Sequence, residues 1–297
     1  MRVTRSFLFV PADSEKKLEK AGASEADALI VDLEDSVAQD AKPRARDIAK
    51  TFLEERHAPA LWVRINPLDT DDALEDLSEL MPTAPAGIVL PKARGADDAL
   101  RLARLLDQLE QENSLPAGQT RILPIATERP RALLSLDGYA QGISRLAGLT
   151  WGAEDLSAAI GAMATRDEQG RWLPPFELAR SLCLIAAAAA EVPAIDTVFT
   201  DFRDTAGLED YARRARRDGF CGMLAIHPSQ VPVINRAFVP SAAEIERARR
   251  IVSLFEDNPD AGALGMDGEM IDRPHWLQAR RVIELAERLD TEQQKKA

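Results

Sequence analysis

Eight short apolar runs rich in β-branched residues recur along this chain of 297 residues: SFLFVPA, ALIVDLE, ALWVRINP, GIVLPKA, ILPIATE, LAGLTWGAED, IDTVFTDF and GMLAIHP. Their centres fall near Phe9, Val31, Val63, Val89, Ile125, Thr150, Val198 and Ala225. Each is almost continuously apolar, the pattern of a strand covered on both faces. Helical spacing fills the gaps. Ala45, Ile48, Ala49, Phe52 and Leu53 share one face, as do Ala99, Leu102, Ala103, Leu106 and Leu109; Leu208, Tyr211, Ala212 and Ala215 repeat the pattern. Strand and helix in alternation mean a parallel sheet, and eight repeats point to a closed (β/α)8 TIM barrel. The alternative, an open doubly wound sheet, usually has a glycine-rich first turn, whereas here that turn is PADSEKK.

Between the sixth and seventh runs lies helix-like PPFELARSLCLIAAAAAE, from Pro174 to Glu191. After the eighth, Ser241 and Glu244 form a capping-box pattern ahead of Ile245, Ala248, Val252 and Phe255. Asp257 to Gly268 is rich in Gly, Asp and Pro and reads as a hinge or mobile loop. A last helix puts Ala279, Val282, Ile283, Ala286 and Leu289 on one side. The expected organisation is a catalytic barrel over residues 1–256, then a hinge and C-terminal helical lid segment over 257–297.

The net charge is −12, from 37 basic and 49 acidic residues. That balance argues against nucleic acid, whose backbone is met by basic stripes. The longest apolar run, Leu182 to Ala190, is far too short to span a membrane. Two cysteines, Cys183 and Cys221, make no disulfide framework, and the N-terminus lacks the pattern of a secretion signal. The expected setting is cytoplasmic.

Active sites of such barrels lie at the C-terminal ends of the strands. The polar residues ending the runs are Asp32, Glu34, Asp35, Arg64, Asn66, Lys92, Glu128, Glu154, Asp155, Asp201 and His227. So many charges at one rim are costly unless they meet a ligand, a metal or each other. Glu128 and Asp155 end neighbouring strands and suit Mg²⁺, which takes oxygen ligands and keeps waters; the alternative pairs one acid with a cation such as Arg129. Arg64 suits a carboxylate or a developing enolate, or else a salt bridge to Asp32 or Glu34. Other residues read as structural. Cys183 is expected in core packing, His227 in a hydrogen bond, and the four Trp residues scattered without a stacking platform. Lys16, Lys17 and Lys20 are expected in solvent.

These residues sit in an ordered set of motifs: RSFLFVPA; ALIVDLEDSV with Lys42, Ala45 and Arg46 behind it; WVRINP; VLPKA; ILPIATE; WGAEDL; TDFRD; GFCGMLAIHPSQ; and GEMIDRP. The set resembles the citrate lyase β-subunit-like group of the HpcH/HpaI aldolase superfamily, which includes malyl-CoA and citramalyl-CoA lyases. The likeness covers roughly residues 5 to 290. It implies a (β/α)8 barrel with an appended C-terminal segment. Arg64 resembles the family's enolate-stabilising arginine, and Glu128 and Asp155 its two Mg²⁺ ligands. Asp272 resembles a lid aspartate that reaches into a neighbour's site in family trimers. Arg64, Glu128, Asp32, Glu34 and Lys92 form the expected substrate-binding set. Met223 departs from the pattern, standing where a lysine is common.

The function these features imply is a Mg²⁺-dependent carbon–carbon lyase. It would cleave a 3-hydroxyacyl-CoA such as malyl-CoA, citramalyl-CoA or a citryl thioester into an acyl-CoA and a 2-oxoacid. Alternatives on the same scaffold are an acyl-CoA thioester hydrolase and a malate-synthase-like condensation. A further one is a citrate lyase β subunit acting on an acyl-carrier-protein thioester within a complex. The expected assembly is a homotrimer, or a hexamer built from trimers.

Overall fold

The computed structural model describes residues 3–55 and 57–296. The apolar runs form β1 (Ser6–Pro11), β2 (Ala28–Asp32), β3 (Ala60–Arg64), β4 (Gly87–Leu90), β5 (Arg121–Pro124), β6 (Leu149–Thr150), β7 (Ala194–Asp196) and β8 (Gly222–Ala225). They lie in the order β5-β4-β3-β2-β1-β8-β7-β6, and every pairing between neighbours is parallel. Parallel bridges from Ile122 to Leu146 and from Ile125 to Thr150 join the two ends of that order. The Ala126 N–H donates to the Thr150 carbonyl at 2.8 Å across this seam. The sheet is therefore closed on itself, the (β/α)8 barrel that the alternation implies.

Between the strands run α1 (Glu15–Gly22), α2 (Lys42–Glu54), α3 (Asp71–Leu80), α4 (Ala96–Glu112), α5 (Pro130–Leu133), α6 (Glu154–Ile160), α7 (Pro174–Ala189) and α8 (Thr205–Asp218). A short helix, α9 (Val231–Ala237), follows β8. Their buried faces are those of the helical spacing, with Ala45, Ala49, Ala99, Leu102, Ala212 and Ala215 fully shielded. Among the strand residues, Ile30, Trp62, Val89, Leu123, Ile195 and Leu224 belong to one buried cluster.

Two positions differ from the sequence expectation. The seventh strand ends at Asp196, so Val198 lies beyond it rather than at its centre. Asp196 accepts five hydrogen bonds, from Trp151 Nε1, Tyr211 Oη, Arg180 Nε and Nη2, and the Thr197 amide. That shell satisfies a carboxylate buried where the run reads as continuously apolar. The tryptophans are also less scattered than expected. Trp151 and Trp172 meet edge to face at 5.0 Å. Both are buried, so they serve as core.

The chain divides into two compact units, Thr4–Asn235 and the chain from Arg236 onward together with Val3. The second holds α10 (Ala242–Glu256), β9 (Ala263–Met266), β10 (Glu269–Asp272) and α11 (Arg273–Lys296). The division therefore falls ahead of α10, whereas the sequence expectation put it at 256/257. The reason is packing: Ala248, Ile251 and Phe255 of α10 bury against Met266, Ile271 and Ala279 of the same unit. The capping box forms, with the Glu244 N–H bonded to Ser241 Oγ at 3.3 Å and the Ser241 N–H to Glu244 Oε2 at 2.7 Å. The segment read as a hinge holds β9 and the turn of a hairpin. Asp267 and Gly268 at that turn have φ of 52° and 83°, left-handed values whose twist matches paired antiparallel strands. Among the described residues no helix is long and apolar enough to cross a membrane.

Candidate active site

Five carboxylates and two cations meet at the C-terminal ends of β2 to β6. Asp32 ends β2, and Glu34 and Asp35 follow it; Arg64 ends β3; Lys92 follows β4. Glu128 lies past β5, and Asp155 in the first turn of α6 beyond β6. Arg64 grips Asp32 with two bonds, Nε to Oδ1 at 2.6 Å and Nη2 to Oδ2 at 2.7 Å. Its Nη1 also lies 3.1 Å from Glu34 Oε2. The guanidinium stands 4.7 Å above the Phe9 ring. The salt-bridge reading of Arg64 thus holds for both acids. Two of its five N–H donors bond Asp32, so pairing does not exhaust it.

Lys92 ties the remaining acids together. Its ammonium bonds Glu34 Oε1 and both Asp35 oxygens, the latter at 2.9 Å, and lies 3.3 Å from Asp155 Oδ1. Its backbone N–H donates to Glu128 Oε2 at 2.5 Å. Arg129 pairs with Asp69 rather than with Glu128.

Burial and charge set the protonation of these groups. Burial pushes the Asp32 carboxyl up, but the Arg64 guanidinium outweighs it and holds the group below its ordinary value. Burial raises Glu34 too, and there Arg64 and Lys92 only partly offset it. Glu128, 3% exposed, is raised well above the usual carboxylate range, first by burial and then by the neighbouring Asp155 charge. Burial works against the charged forms of Arg64 and Lys92, yet the surrounding acids hold both firmly protonated.

A buried carboxylate beside a second one is short of positive charge. Glu34 Oε2, buried and without a hydrogen bond, adds an unsatisfied acceptor to the same rim. The chain makes room for Glu128 at one specific point: a Cβ on Gly152 would stand 2.9 Å from Glu128 Cγ and 3.3 Å from its Oε1. Among the described residues, no three His, Cys, Asp or Glu side chains form a ready-made ligand cage. The rim offers carboxylate oxygens, those of Glu128 and Asp155 among them, the donor type that suits a hard cation completed by water and substrate.

The other expected rim residues go elsewhere. Asn66 is buried, donating to Asp76 Oδ2 and accepting from Lys42 Nζ at 2.6 Å. Lys42 also donates to the carbonyls of Leu33 and Glu34, and Arg46 to Asp76. This network clamps the backbone that carries Glu34. Asp201 is exposed and bonds the Arg203 amide, and His227 stacks on Phe202 at 4.8 Å and bonds Ser229. Cys183 is buried, with its thiol pushed up by burial, as a packing residue should be. Lys16, Lys17 and Lys20 are exposed on α1, and Met223 is buried in β8. Asp272 ends β10 in the C-terminal unit. His275 Nδ1 lies 2.5 Å from its Oδ1 and 3.3 Å from its backbone nitrogen. This is a capping arrangement at the start of α11. Asp76 and Asp196 escaped sequence reasoning. Asp76 is one of five acids on α3, a helix with no basic residue, and Asp196 lies inside an apolar run; only its interruption of that run signals it.

Comparison with known proteins finds relatives along most of the chain. Residues 5–228 fit the family model described as HpcH/HpaI aldolase/citrate lyase. A (3S)-malyl-CoA thioesterase of Cereibacter sphaeroides is 33% identical over 287 residues, covering 95% of this chain and 94% of the relative. A citrate lyase subunit beta-like protein of Mycobacterium tuberculosis is 34% identical over 290 residues, covering 94% of each. The crystal structure of CitE from M. tuberculosis, in complex with magnesium, acetoacetate and coenzyme A, superposes with a TM-score of 0.81. That match is at 33% identity and covers 96% of this chain and 99% of the other. A closed parallel barrel, an acid rim built on its strand ends and a family model spanning most of the chain agree, and the protein belongs to the HpcH/HpaI aldolase/citrate lyase family.

Proposed function

We propose that the protein is a Mg²⁺-dependent carbon–carbon lyase that splits a 3-hydroxyacyl-CoA into an acyl-CoA and a 2-oxoacid. The observation that carries this reading is the meeting of the Glu128 and Asp155 carboxylates with Arg64 at one rim. The solved relative that holds magnesium, acetoacetate and coenzyme A supports it. Glu128 and Asp155 would hold the Mg²⁺, which when bound supplies a Lewis acid for the substrate's hydroxyl and carboxylate oxygens. Arg64, fixed by Asp32 and Glu34, would present its remaining N–H donors to the thioester oxygen as enolate charge develops there. A donor that matters only in the transition state raises turnover rather than affinity. Asp32 and Glu34 would act through Arg64, and Lys92 through Glu34, Asp35 and Asp155. Asp272 would exchange the proton at the thioester α-carbon. The proposed working form is a cytoplasmic homotrimer in which this aspartate serves a neighbouring site.

The thioesterase named among the relatives favours a second reading, hydrolysis of the thioester. One assay separates the two. The purified chain with Mg²⁺ is given glyoxylate, pyruvate or oxaloacetate with short acyl-CoAs, and malyl-CoA or citramalyl-CoA in the reverse direction, with products read by mass. A 2-oxoacid with intact acyl-CoA supports the lyase. Free CoA with the intact hydroxyacid supports the hydrolase and overturns it.

A further inference from the structure

Lys92 contacts four of the five acids of the rim, three through its ammonium and Glu128 through its N–H. Its φ is +48°, a left-handed value that strains a residue bearing a Cβ. In that conformation the amide bonds one member of the carboxylate pair while the side chain runs to the other. The ammonium contacts are unequal. Those to Glu34 and Asp35 are hydrogen bonds; that to Asp155, at 3.3 Å, is an ion contact without one. It is the one most readily given up, because Glu34 and Asp35 still hold the ammonium once Asp155 turns away.

We propose that Lys92 is a stand-in cation at Asp155: its ammonium must yield that carboxylate to an incoming divalent metal, while its amide keeps Glu128 in place. The inference rests on the two-carboxylate metal site proposed above. It assigns opposite effects to two parts of one residue. The side-chain charge opposes metal binding, and the backbone N–H favours it. A purely structural Lys92 would behave otherwise, since its loss would let the acids drift apart and weaken the metal.

The test is titration of Mg²⁺ by calorimetry into the purified full chain without substrate, with Tm recorded with and without Mg²⁺. Lys92→Met and Lys92→Gln keep the length and the N–H but remove the charge. Both should bind Mg²⁺ about tenfold tighter than wild type, as loss of a contacting charge at partly screened distance implies. Both should also show a larger Mg²⁺-induced rise in Tm. Arg129→Gln removes a positive charge one residue from Glu128 that pairs elsewhere, and should tighten binding far less. Equal or weaker binding by both Lys92 variants overturns the inference and leaves the metal site standing. Equal tightening by Arg129→Gln also overturns it, reducing the effect to general electrostatics. No Mg²⁺ binding by wild type overturns the metal site itself, and the inference with it.

Discussion

Arg64 illustrates how one residue serves two ends. Its pairing with Asp32 is bidentate, and its third contact reaches Glu34. An ammonium has the charge but not the planar fork that spans two acids and leaves donors over. Arg64→Lys should therefore lose about 2.7–4 kcal/mol of transition-state stabilisation, the usual worth of one such donor, with KM changed much less. Turnover within a few-fold of wild type would return Arg64 to a purely structural ion pair. Glu128 and Asp155 make a contrasting case. Burial and mutual repulsion make the ionised Glu128 costly, so neutralising it removes a burden from the fold. Glu128→Gln and Asp155→Asn should each abolish Mg²⁺ binding in calorimetry while Tm stays equal or rises. Retained wild-type affinity in either variant would remove that residue from the ligand set.

The elements that carry the site are held by buried charge. Glu110 on α4 is 1% exposed and accepts from Arg145 at 2.5 and 2.8 Å and from the amides of Gly118 and Thr120. Burial pushes its carboxyl up, but these donors together outweigh it and bring the value down from 4.5 to about 2. A depressed folded value stabilises the fold above the unfolded one. That contribution is complete above about pH 5 and lost as pH falls through about 2. It amounts to about 3 kcal/mol. Glu110→Gln should lower the urea midpoint at pH 7, and the gap to wild type should narrow as the buffer is taken toward about pH 3. A gap independent of pH would show that shape rather than charge sets the Glu110 contribution. Lys42 fixes the loop between β2 and α2 that presents Glu34 by donating to the Leu33 and Glu34 carbonyls, and Asp76 holds Asn66, which accepts from the same lysine.

At the scale of the whole molecule, the barrel unit carries Arg64, Glu128 and Asp155, and the C-terminal unit carries Asp272. A site shared between chains of a cyclic assembly would place these groups on different copies. Asp272→Ala and Arg64→Ala, each inactive alone, should then regain partial activity when mixed and allowed to exchange subunits. Some mixed sites would draw Arg64 from one copy and Asp272 from the next. No recovery despite subunit exchange seen by native mass spectrometry would confine Asp272 to its own chain or to the helix cap it forms with His275.

The sequence by itself determined the barrel and which charged residues stand at its strand ends. An apolar run and a helical period are local signals, and Asp32, Arg64, Lys92 and Glu128 stand at or just past the ends of such runs. Only the tertiary structure decided which charges meet. Glu128 and Asp155 lie close because the seam between β5 and β6 closes through Ala126 and Thr150. Arg64 reaches Asp32 because β2 and β3 pair in register at those two residues. Lys92 gathers four acids because its backbone turns left-handed there. Asp196 and Asp76 were invisible for the same reason. A buried carboxylate is tolerated only when donors from distant elements converge on it, and no local pattern records where those donors come from.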